Sequence, residues 1–208
     1  MTTRIEKGQN AVILGGTFNP IHNGHIHAAR EVMARLSPDI IVFMPSGIPP
    51  HKRVENDREL RLHRFEMTKL AVMDEPRFFV SDIELKNEGV SYTIDTLGTF
   101  VNLYEPKSLS LILGTDMFLS FEKWKSYDKI FDICNLIVLP RFKGGTAELF
   151  DKLRADFYDR RDRITIIDAD VIEISSTQIR NTVRDGGSID AFVPKRVAEY
   201  ICENGLYR

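Results

Sequence analysis

Short apolar runs alternate with longer segments of helical periodicity, and this alternation limits the fold more than any other feature of the sequence. Each run has the length of a strand, and most of the segments between them repeat apolar residues at helical spacing. Strands that alternate with helices predict a parallel sheet with helices on both faces. The predicted strands are residues 11–14, 40–44, 77–85, 109–113, 136–139 and 164–167, and the predicted helices are 25–36, 60–73, 93–104, 124–133 and 148–157.

The chain of 208 residues is long enough to bury a substantial core in one domain. No internal repeat, low-complexity segment or long Gly/Ser linker divides it. Near residue 200, Val193-Pro194 can open a last helix and Gly205 can close it. We therefore predict an α/β protein: a single Rossmann-like, doubly wound domain over residues 1–208, with a mainly parallel sheet and C-terminal helices.

The charge balance argues against a nucleic-acid or membrane partner. Lysine and arginine number 28 and aspartate and glutamate 30, a net charge of −2, so no global field attracts polyanions. Residues 1–10 are polar, and no apolar run approaches the length of a membrane span. We predict a cytoplasmic protein without nucleic-acid or membrane partners, and the sequence does not specify its oligomeric state.

Glycine-containing or polar segments follow four of the predicted strands. They are Gly15–Thr17, residues 45–52 (PSGIPPHK), Gly114–Asp116 and Pro140-Arg141. In open α/β sheets ligands bind beyond the carboxyl ends of the strands, so these four loops should converge on one crevice.

The segment GGTFNPIHNGH, residues 15–25, predicts an anion site. Gly15 and Gly16 allow a ligand to approach the backbone closely and supply amide donors. The helix that follows presents unpaired amides at its N-terminus, where His22 and His25 can donate hydrogen bonds to a phosphate. A histidine pair without such a turn would more often be surface or core. Zinc is disfavoured because no third ligand stands at ligand spacing, so no metal ligands are predicted, and the common P-loop and dinucleotide fingerprints are missing from the sequence.

A second anion site is predicted in EISSTQIR, residues 173–180. Ser175, Ser176 and Thr177 can cap a helix, and their hydroxyls and amides form a cradle. Arg180 lies about one turn further along and can reach the same phosphates. An ordinary capped surface helix is the alternative for this segment taken alone.

These two segments together resemble the nucleotidyltransferase superfamily marked by T/H-x-G-H, and within it the bacterial nicotinate mononucleotide adenylyltransferases. The resemblance covers nearly the whole chain, and the combination of motifs is highly specific. One departure is Asn19, where the family commonly has the acid of T-F-D-P. Further matching motifs are Pro49-Pro50-His51-Lys52, His63-Arg64, Ser91-Tyr92-Thr93, Gly114-Thr115-Asp116, Trp124 and residues 192–208.

The resemblance implies adenylyl transfer from ATP to nicotinate mononucleotide, with Mg²⁺ carried mainly by the ATP phosphates. It implies catalytic roles for His22, His25 and Arg180. By the same resemblance, ATP is bound by Gly15, Gly16, Thr17, Phe18, His22, His25, Gly114, Asp116, Ser175, Ser176, Thr177 and Arg180. The mononucleotide is bound by Gly16, His51, Lys52, Thr93 and Trp124.

From the residues alone, several of these positions have simpler interpretations. His51 and Lys52 can belong to a solvated loop, Asp116 and Thr93 can cap helices, and Trp124 can be a core residue. Pantetheine-phosphate adenylyltransferases and cytidylyltransferases share the His-x-Gly-His and S-S-T-x-x-R patterns but generally lack the other motifs. A non-catalytic nucleotide sensor is a further alternative, and intact His22, His25 and Arg180 argue against it.

Overall fold

The computed structural model describes residues 5–48, 58–87, 89–142 and 144–208. Six strands lie in this part of the chain: β1 (Asn10–Gly16), β2 (Ile40–Pro45), β3 (Phe78–Val80), β4 (Ser108–Gly114), β5 (Asn135–Leu139) and β6 (Ile164–Ile166). The helices described are α1 (Asn23–Leu36), α2 (Arg58–Val72), α3 (Thr93–Tyr104), α4 (Thr115–Leu119), α5 (Tyr127–Ile133), α6 (Thr146–Asp156), α7 (Ser176–Arg184) and α8 (Lys195–Glu203). Two 3₁₀ turns, Phe121–Lys123 and Tyr158–Arg163, complete the described elements.

The described strands form one six-stranded sheet in the order β3-β2-β1-β4-β5-β6, and every neighbouring pair is parallel. The chain runs outward from β1 to one edge, returns to β4, and then runs to the other edge. The predicted α/β class with a doubly wound parallel sheet is confirmed. This order reverses direction between β1 and β4, which is where such sheets bind ligands.

The sheet separates two apolar cores because alternate side chains of a strand point to opposite faces. Val12 and Leu14 enter one core, which α1, α2, α7 and α8 cover. Ala11 and Ile13 enter the other, which α3, α4, α5 and α6 cover. A strand buried on both faces has no polar alternation, which explains the continuous apolar runs of the sequence.

Strand β3 is shorter than the predicted strand over 77–85. Its pairing with β2 ends at Val80, and the Ser81 hydroxyl then accepts a hydrogen bond from the Ile83 amide at 3.3 Å. A serine hydroxyl that bonds its own backbone competes with strand pairing, and residues 83–85 form a turn. The turn places Glu84 beside the carboxyl end of β2.

The predicted helix over 124–133 begins later, at Tyr127, because Ser126 has a left-handed backbone with φ of 52°. Trp124 therefore lies in an extended link rather than on a helix. The short helix α4 was not predicted, since its five residues are too few to show a period.

The C-terminal helices are confirmed. Ser175 precedes α7 and caps it by accepting a hydrogen bond from the Gln178 amide at 3.1 Å. Helix α8 follows Pro194, and Gly205 lies just beyond it with φ of +61°. Glycine adopts this left-handed conformation without a steric penalty, so the chain can reverse there. None of the described helices combines the length and the apolar character that crossing a membrane requires.

Candidate active site

A cleft of about 1450 Å³ opens at the carboxyl ends of the strands, beside the β1/β4 switch point. The loops after β1, β2, β4 and β5 all line it, as the strand order requires. His51 and Lys52 lie outside the described residues. The predicted site residues that line the cleft are Gly15, Gly16, Thr17, Phe18, His22, His25, Thr93, Gly114, Asp116, Trp124, Ser175, Ser176, Thr177 and Arg180.

The two histidines of the β1–α1 loop form a stacked pair. His22 is the N-cap residue of α1, and its backbone amide donates to Nδ1 of His25 at 3.2 Å. Their ring centroids lie 3.6 Å apart with the planes 27° from parallel. Because Nδ1 of His25 accepts, the proton of the neutral ring is on Nε2, the atom that can donate to a phosphoryl oxygen.

His22 is held in the neutral state. Its side chain is buried, and its Nδ1 makes no well-formed hydrogen bond with the described residues. Burial, with a smaller contribution from the charge of Arg141, lowers the pKa of His22 from 6.5 to about 4. A ring that is neutral at pH 7 can still donate one hydrogen bond, and an incoming phosphate would raise its pKa.

The buried Phe18 ring packs against the loop that carries the two histidines. It meets the His25 ring edge to face, with centroids 4.9 Å apart. A Cβ on Gly16 would fall 2.6 Å from that ring, so the position requires glycine. The buried Phe18 ring supports His25, so only the backbone of Phe18 is placed to meet a ligand in the cleft.

Helix α7 is hydrogen-bonded to the β1–α1 loop, so the two segments predicted to bind anions lie side by side in the cleft. The Ser176 hydroxyl donates to the Pro20 carbonyl at 2.9 Å. Nη1 of Arg180 donates to the Asn19 carbonyl at 2.7 Å, and Nη2 to the Thr177 hydroxyl at 3.3 Å. The N-termini of α1 and α7 therefore face the same cleft and add their partial positive charges.

Asn19 has a partner that the sequence did not predict. The Tyr207 hydroxyl donates to Asn19 Oδ1 at 2.6 Å, which joins the segment after α8 to the loop after β1. Burial raises the pKa of Tyr207, so the hydroxyl remains a donor at neutral pH. Either an amide or a carboxylate oxygen accepts such a bond, which explains how asparagine serves in place of the usual aspartate.

Two of the residues predicted to bind the mononucleotide, Thr93 and Trp124, lie on the α3 and α5 side of the cleft, and a third, Gly16, ends β1. Thr93 is the first residue of α3, and Trp124 is half-buried with its ring centroid 5.3 Å from that of Phe121. Asp95 pairs with Lys125 at 2.9 Å, and that ammonium lies 4.3 Å above the Tyr92 ring.

Asp116 follows β4 and pairs with Arg141, which follows β5. The Arg141 amide also donates to the Thr115 hydroxyl at 3.1 Å. Two adjacent loops are thereby joined at the mouth of the cleft. Arg141 adds a cation that the sequence analysis had located in a converging loop without assigning it a role.

Two charged residues received no role from the sequence: Arg64, which was named only as part of the motif His63-Arg64, and Glu84, which is partly buried at the wall of the cleft. Arg64 has no exposed surface, and Glu84 accepts a hydrogen bond from the Thr96 hydroxyl at 2.9 Å. The sequence carries a signal for the arginine: the buried positions of α2 are 64, 67, 68 and 72, a single helical face on which Arg64 interrupts the apolar pattern. Glu84 gives no such signal, because its segment reads as a strand.

Magnesium was predicted to reach the site on ATP rather than in a protein cage. Among the described residues, no group of three or more His, Cys, Asp or Glu side chains is arranged to hold a metal ion. The carboxylates described above, those of Asp95, Asp116 and Glu84, each accept from a protein donor.

Comparison with known proteins identifies the family of the chain. Residues 13–182 match the model of the Cytidylyltransferase-like family. A probable nicotinate-nucleotide adenylyltransferase of Clostridium botulinum (strain Langeland) is 40% identical over 202 residues, which are 96% of this chain and 99% of that protein. A probable nicotinate-nucleotide adenylyltransferase of Clostridium kluyveri is also 40% identical, over 94% of this chain and 98% of its own length.

Solved structures share the fold. The nicotinic acid mononucleotide adenylyltransferase of Plasmodium falciparum, in complex with NaAD, superposes with a TM-score of 0.75 at 18% identity, over 96% of this chain and 97% of that one. A putative nicotinate-nucleotide adenylyltransferase of Vibrio parahaemolyticus gives a TM-score of 0.66 at 20% identity, over 95% and 94% of the two chains.

Proposed function

The chain belongs to the Cytidylyltransferase-like family, and from that membership we propose that it transfers the adenylyl group of ATP to nicotinate mononucleotide. The products are nicotinate adenine dinucleotide and pyrophosphate, a step of NAD biosynthesis. Relatives that carry this activity in their names match nearly the full length of the chain at about 40% identity. The observation that carries the proposal is the meeting of the His22/His25 pair and Arg180 in one cleft.

The reaction requires positioning and charge neutralisation rather than a nucleophile from the protein. A phosphate oxygen of the mononucleotide, already anionic, attacks the α-phosphorus of ATP while the bond from that phosphorus to the bridging oxygen breaks. Pyrophosphate leaves with the bonding electrons, so neither a general base nor a covalent enzyme intermediate is needed. Catalysis then depends on in-line alignment and on donors directed at the oxygens that gain charge.

The donors have separate roles in this scheme. Nε2–H of His25 and the neutral ring of His22 stabilise the transferring group at the N-terminus of α1. Arg180, with Ser175–Thr177 at the start of α7, neutralises the leaving pyrophosphate. Mg²⁺ carried by the ATP phosphates would supply further charge neutralisation there.

Discrimination between nicotinate and nicotinamide rests on the donors that face the pyridine ring. A carboxylate only accepts hydrogen bonds, whereas an amide also needs an acceptor. The two carboxylates most able to offer one are occupied, Asp95 by Lys125 and Asp116 by Arg141. We therefore expect nicotinate mononucleotide to be preferred by a factor of about 10² or more in kcat/KM.

The test is pyrophosphate release from ATP and Mg²⁺ with each of the two mononucleotides in turn. Equal kcat/KM values would replace the nicotinate assignment with dual specificity. A stronger response to a phosphopantetheine acceptor would replace the substrate class. Binding of ATP without pyrophosphate release for any acceptor would identify a nucleotide sensor.

A further inference from the structure

The Ser46-Gly47 turn, which follows β2, is held by two charged groups, the fully buried Arg64 and the partly buried Glu84. Nη2 of Arg64 donates to the Ser46 carbonyl at 2.6 Å, and Oε2 of Glu84 accepts from the Gly47 amide at 3.1 Å. The Ser46 amide in turn donates to the Gly16 carbonyl at 2.8 Å. A Cβ on Gly47 would fall 2.3 Å from the Glu84 carbonyl oxygen, so this backbone approach also requires glycine.

Arg64 joins this turn to the loop after β1. Its Nη1 donates to the Thr17 carbonyl at 2.6 Å, so one planar guanidinium spans the loops after β1 and β2. Burial lowers the pKa of Arg64 to about 10, yet the group remains protonated at pH 7. Burying a cation costs free energy that bonds to two neutral carbonyls repay only in part, which indicates a role beyond packing.

Glu84 joins the same turn to α3. Its second oxygen accepts from the Thr96 hydroxyl at 2.9 Å, one turn into the helix that begins at Thr93. Burial raises the pKa of Glu84, and the bonds from Gly47 and Thr96 act in the opposite direction. Because each oxygen accepts from a different segment, this carboxylate, at the wall of the cleft, links the Ser46-Gly47 turn to α3.

We propose that Arg64 and Glu84 are positioning residues that clamp the Ser46-Gly47 turn and thereby set the separation of the two substrates. Through Thr17, Arg64 fixes the turn relative to the loop after β1, where ATP is expected. Through Thr96, Glu84 fixes it relative to the α3 side, where the acceptor is expected. This assignment of sides rests on the proposed function. Arg64 is fully buried, and Glu84, at the wall of the cleft, accepts hydrogen bonds from Gly47 and Thr96, so each is assigned to act through the segment that it holds.

The two arms of the clamp predict different kinetic effects. Arg64→Lys loses the fork that reaches both loops, so the phosphates move relative to each other and kcat should fall about tenfold or more. Glu84→Gln keeps one good acceptor and loses the other, so KM for the mononucleotide should rise about fivefold while KM for ATP stays within about twofold. Thr96→Val removes the hydroxyl that donates to Glu84 and should raise KM for the mononucleotide as Glu84→Gln does.

Matched controls on α2 separate these effects from general perturbation. Arg58→Lys and Glu66→Gln make the same chemical changes at partly or fully exposed positions and should leave kcat and both KM values unchanged. Gly47→Ala displaces the turn itself and should combine both defects, which keeps the test available if Arg64→Lys does not fold. Melting temperatures accompany every kinetic measurement.

Variants with a lower melting temperature but wild-type kcat and KM in the folded fraction would overturn the proposal, since the clamp would then be structural only. An equal rise of both KM values in Glu84→Gln would overturn the assignment of that arm to the acceptor side.

Hydrogen exchange over residues 44–48 gives a readout that does not require turnover. Exchange at the Gly47 amide should accelerate about fivefold or more in Glu84→Gln, and stay at the wild-type rate in both controls. If the wild-type protein releases no pyrophosphate with nicotinate mononucleotide, the proposed function fails, and this exchange alone decides the clamp. Unchanged exchange in Glu84→Gln and Arg64→Lys would overturn it.

Discussion

The stacked rings of His22 and His25 differ in their surroundings, and this gives them different sensitivity to mutation. His25 has its tautomer set by the bond from the His22 amide, which directs a donor from Nε2. His25→Ala should therefore lower kcat about 10²-fold, because one preorganised donor to the transition state is lost. ATP binding, measured by calorimetry with a non-reacting analogue, should change far less. A kcat within a few-fold of wild type would remove His25 from the catalytic role.

The lowered pKa of His22 predicts how the free energy of unfolding depends on pH. The folded pKa of about 4 lies below the ordinary 6.5, so the unfolded chain takes up this proton first as the pH falls. The free energy of unfolding should therefore decline between pH 6.5 and pH 4 and become insensitive to this group below pH 4. In total, the lowered pKa of His22 should reduce the free energy of unfolding by about 3 kcal/mol between neutral and acidic pH. Urea denaturation of wild type and His22→Gln at pH 7 and pH 4.5 measures it, and parallel profiles would contradict the assignment.

Arg180 both holds the loop and is expected to meet phosphate. Arg180→Lys keeps the charge, but one ammonium cannot donate to the Asn19 carbonyl in the same fork geometry and also reach an oxyanion. We expect kcat to fall about tenfold or more. Arg184→Lys, an exposed change at the other end of α7, is the matched control. Full activity in Arg180→Lys would show that the residue supplies only counter-charge.

At the scale of elements, the segment after α8 braces the loop after β1. Tyr207→Phe keeps the ring and removes the hydroxyl that bonds Asn19 Oδ1. Loss of one part-buried hydrogen bond should cost about 1 kcal/mol of stability, and kcat should fall because the Asn19 carbonyl also anchors Arg180. Tyr158→Phe, at an exposed tyrosine, serves as the control in denaturation and steady-state assays. Unchanged stability and kcat in Tyr207→Phe would mean that the brace is dispensable.

Helices and strands whose signals lie within their own residues could be predicted from the sequence. The runs at β1, β2 and β4 gave their strands to within two residues, and Ser175 and Gly205 marked a helix start and end by their own chemistry. The errors arose where a local bond overrode the pattern, as at Ser81, or where a left-handed residue delayed a helix, as at Ser126.

At the scale of the molecule, the location of the cleft followed from the order of strands and helices alone. The site residues on the loops after β1 and β4 were predictable because a parallel sheet brings its carboxyl ends together. The supports were not, because Arg64, Glu84 and Tyr207 act on loops up to 188 residues away in sequence. The interrupted apolar face of α2 signals a buried arginine, but the neighbouring residues do not identify the distant loops that it contacts.

Removal of Mg²⁺ tests whether the ion enters only with ATP or also stabilises the folded protein. If Mg²⁺ enters only with ATP, chelation by EDTA should stop turnover and leave the melting temperature within about 1 °C, since a ligand stabilises only what it binds. Adding Mg²⁺ back with ATP should restore the rate. A fall of several degrees on chelation would instead indicate an ion resident in the protein.

The bond between Asn19 and Tyr207 also has a consequence for synthesis on the ribosome. The loop after β1, which contains Asn19, is translated early. The two residues that donate hydrogen bonds to Asn19 come much later: Arg180 by 161 positions and Tyr207 by 188. Throughout most of translation the nascent chain therefore carries both histidines without the contacts that orient their loop. Catalytic competence is therefore expected only late in translation, and a polypeptide released by premature termination before residue 180 should be inert however well its first strands had paired.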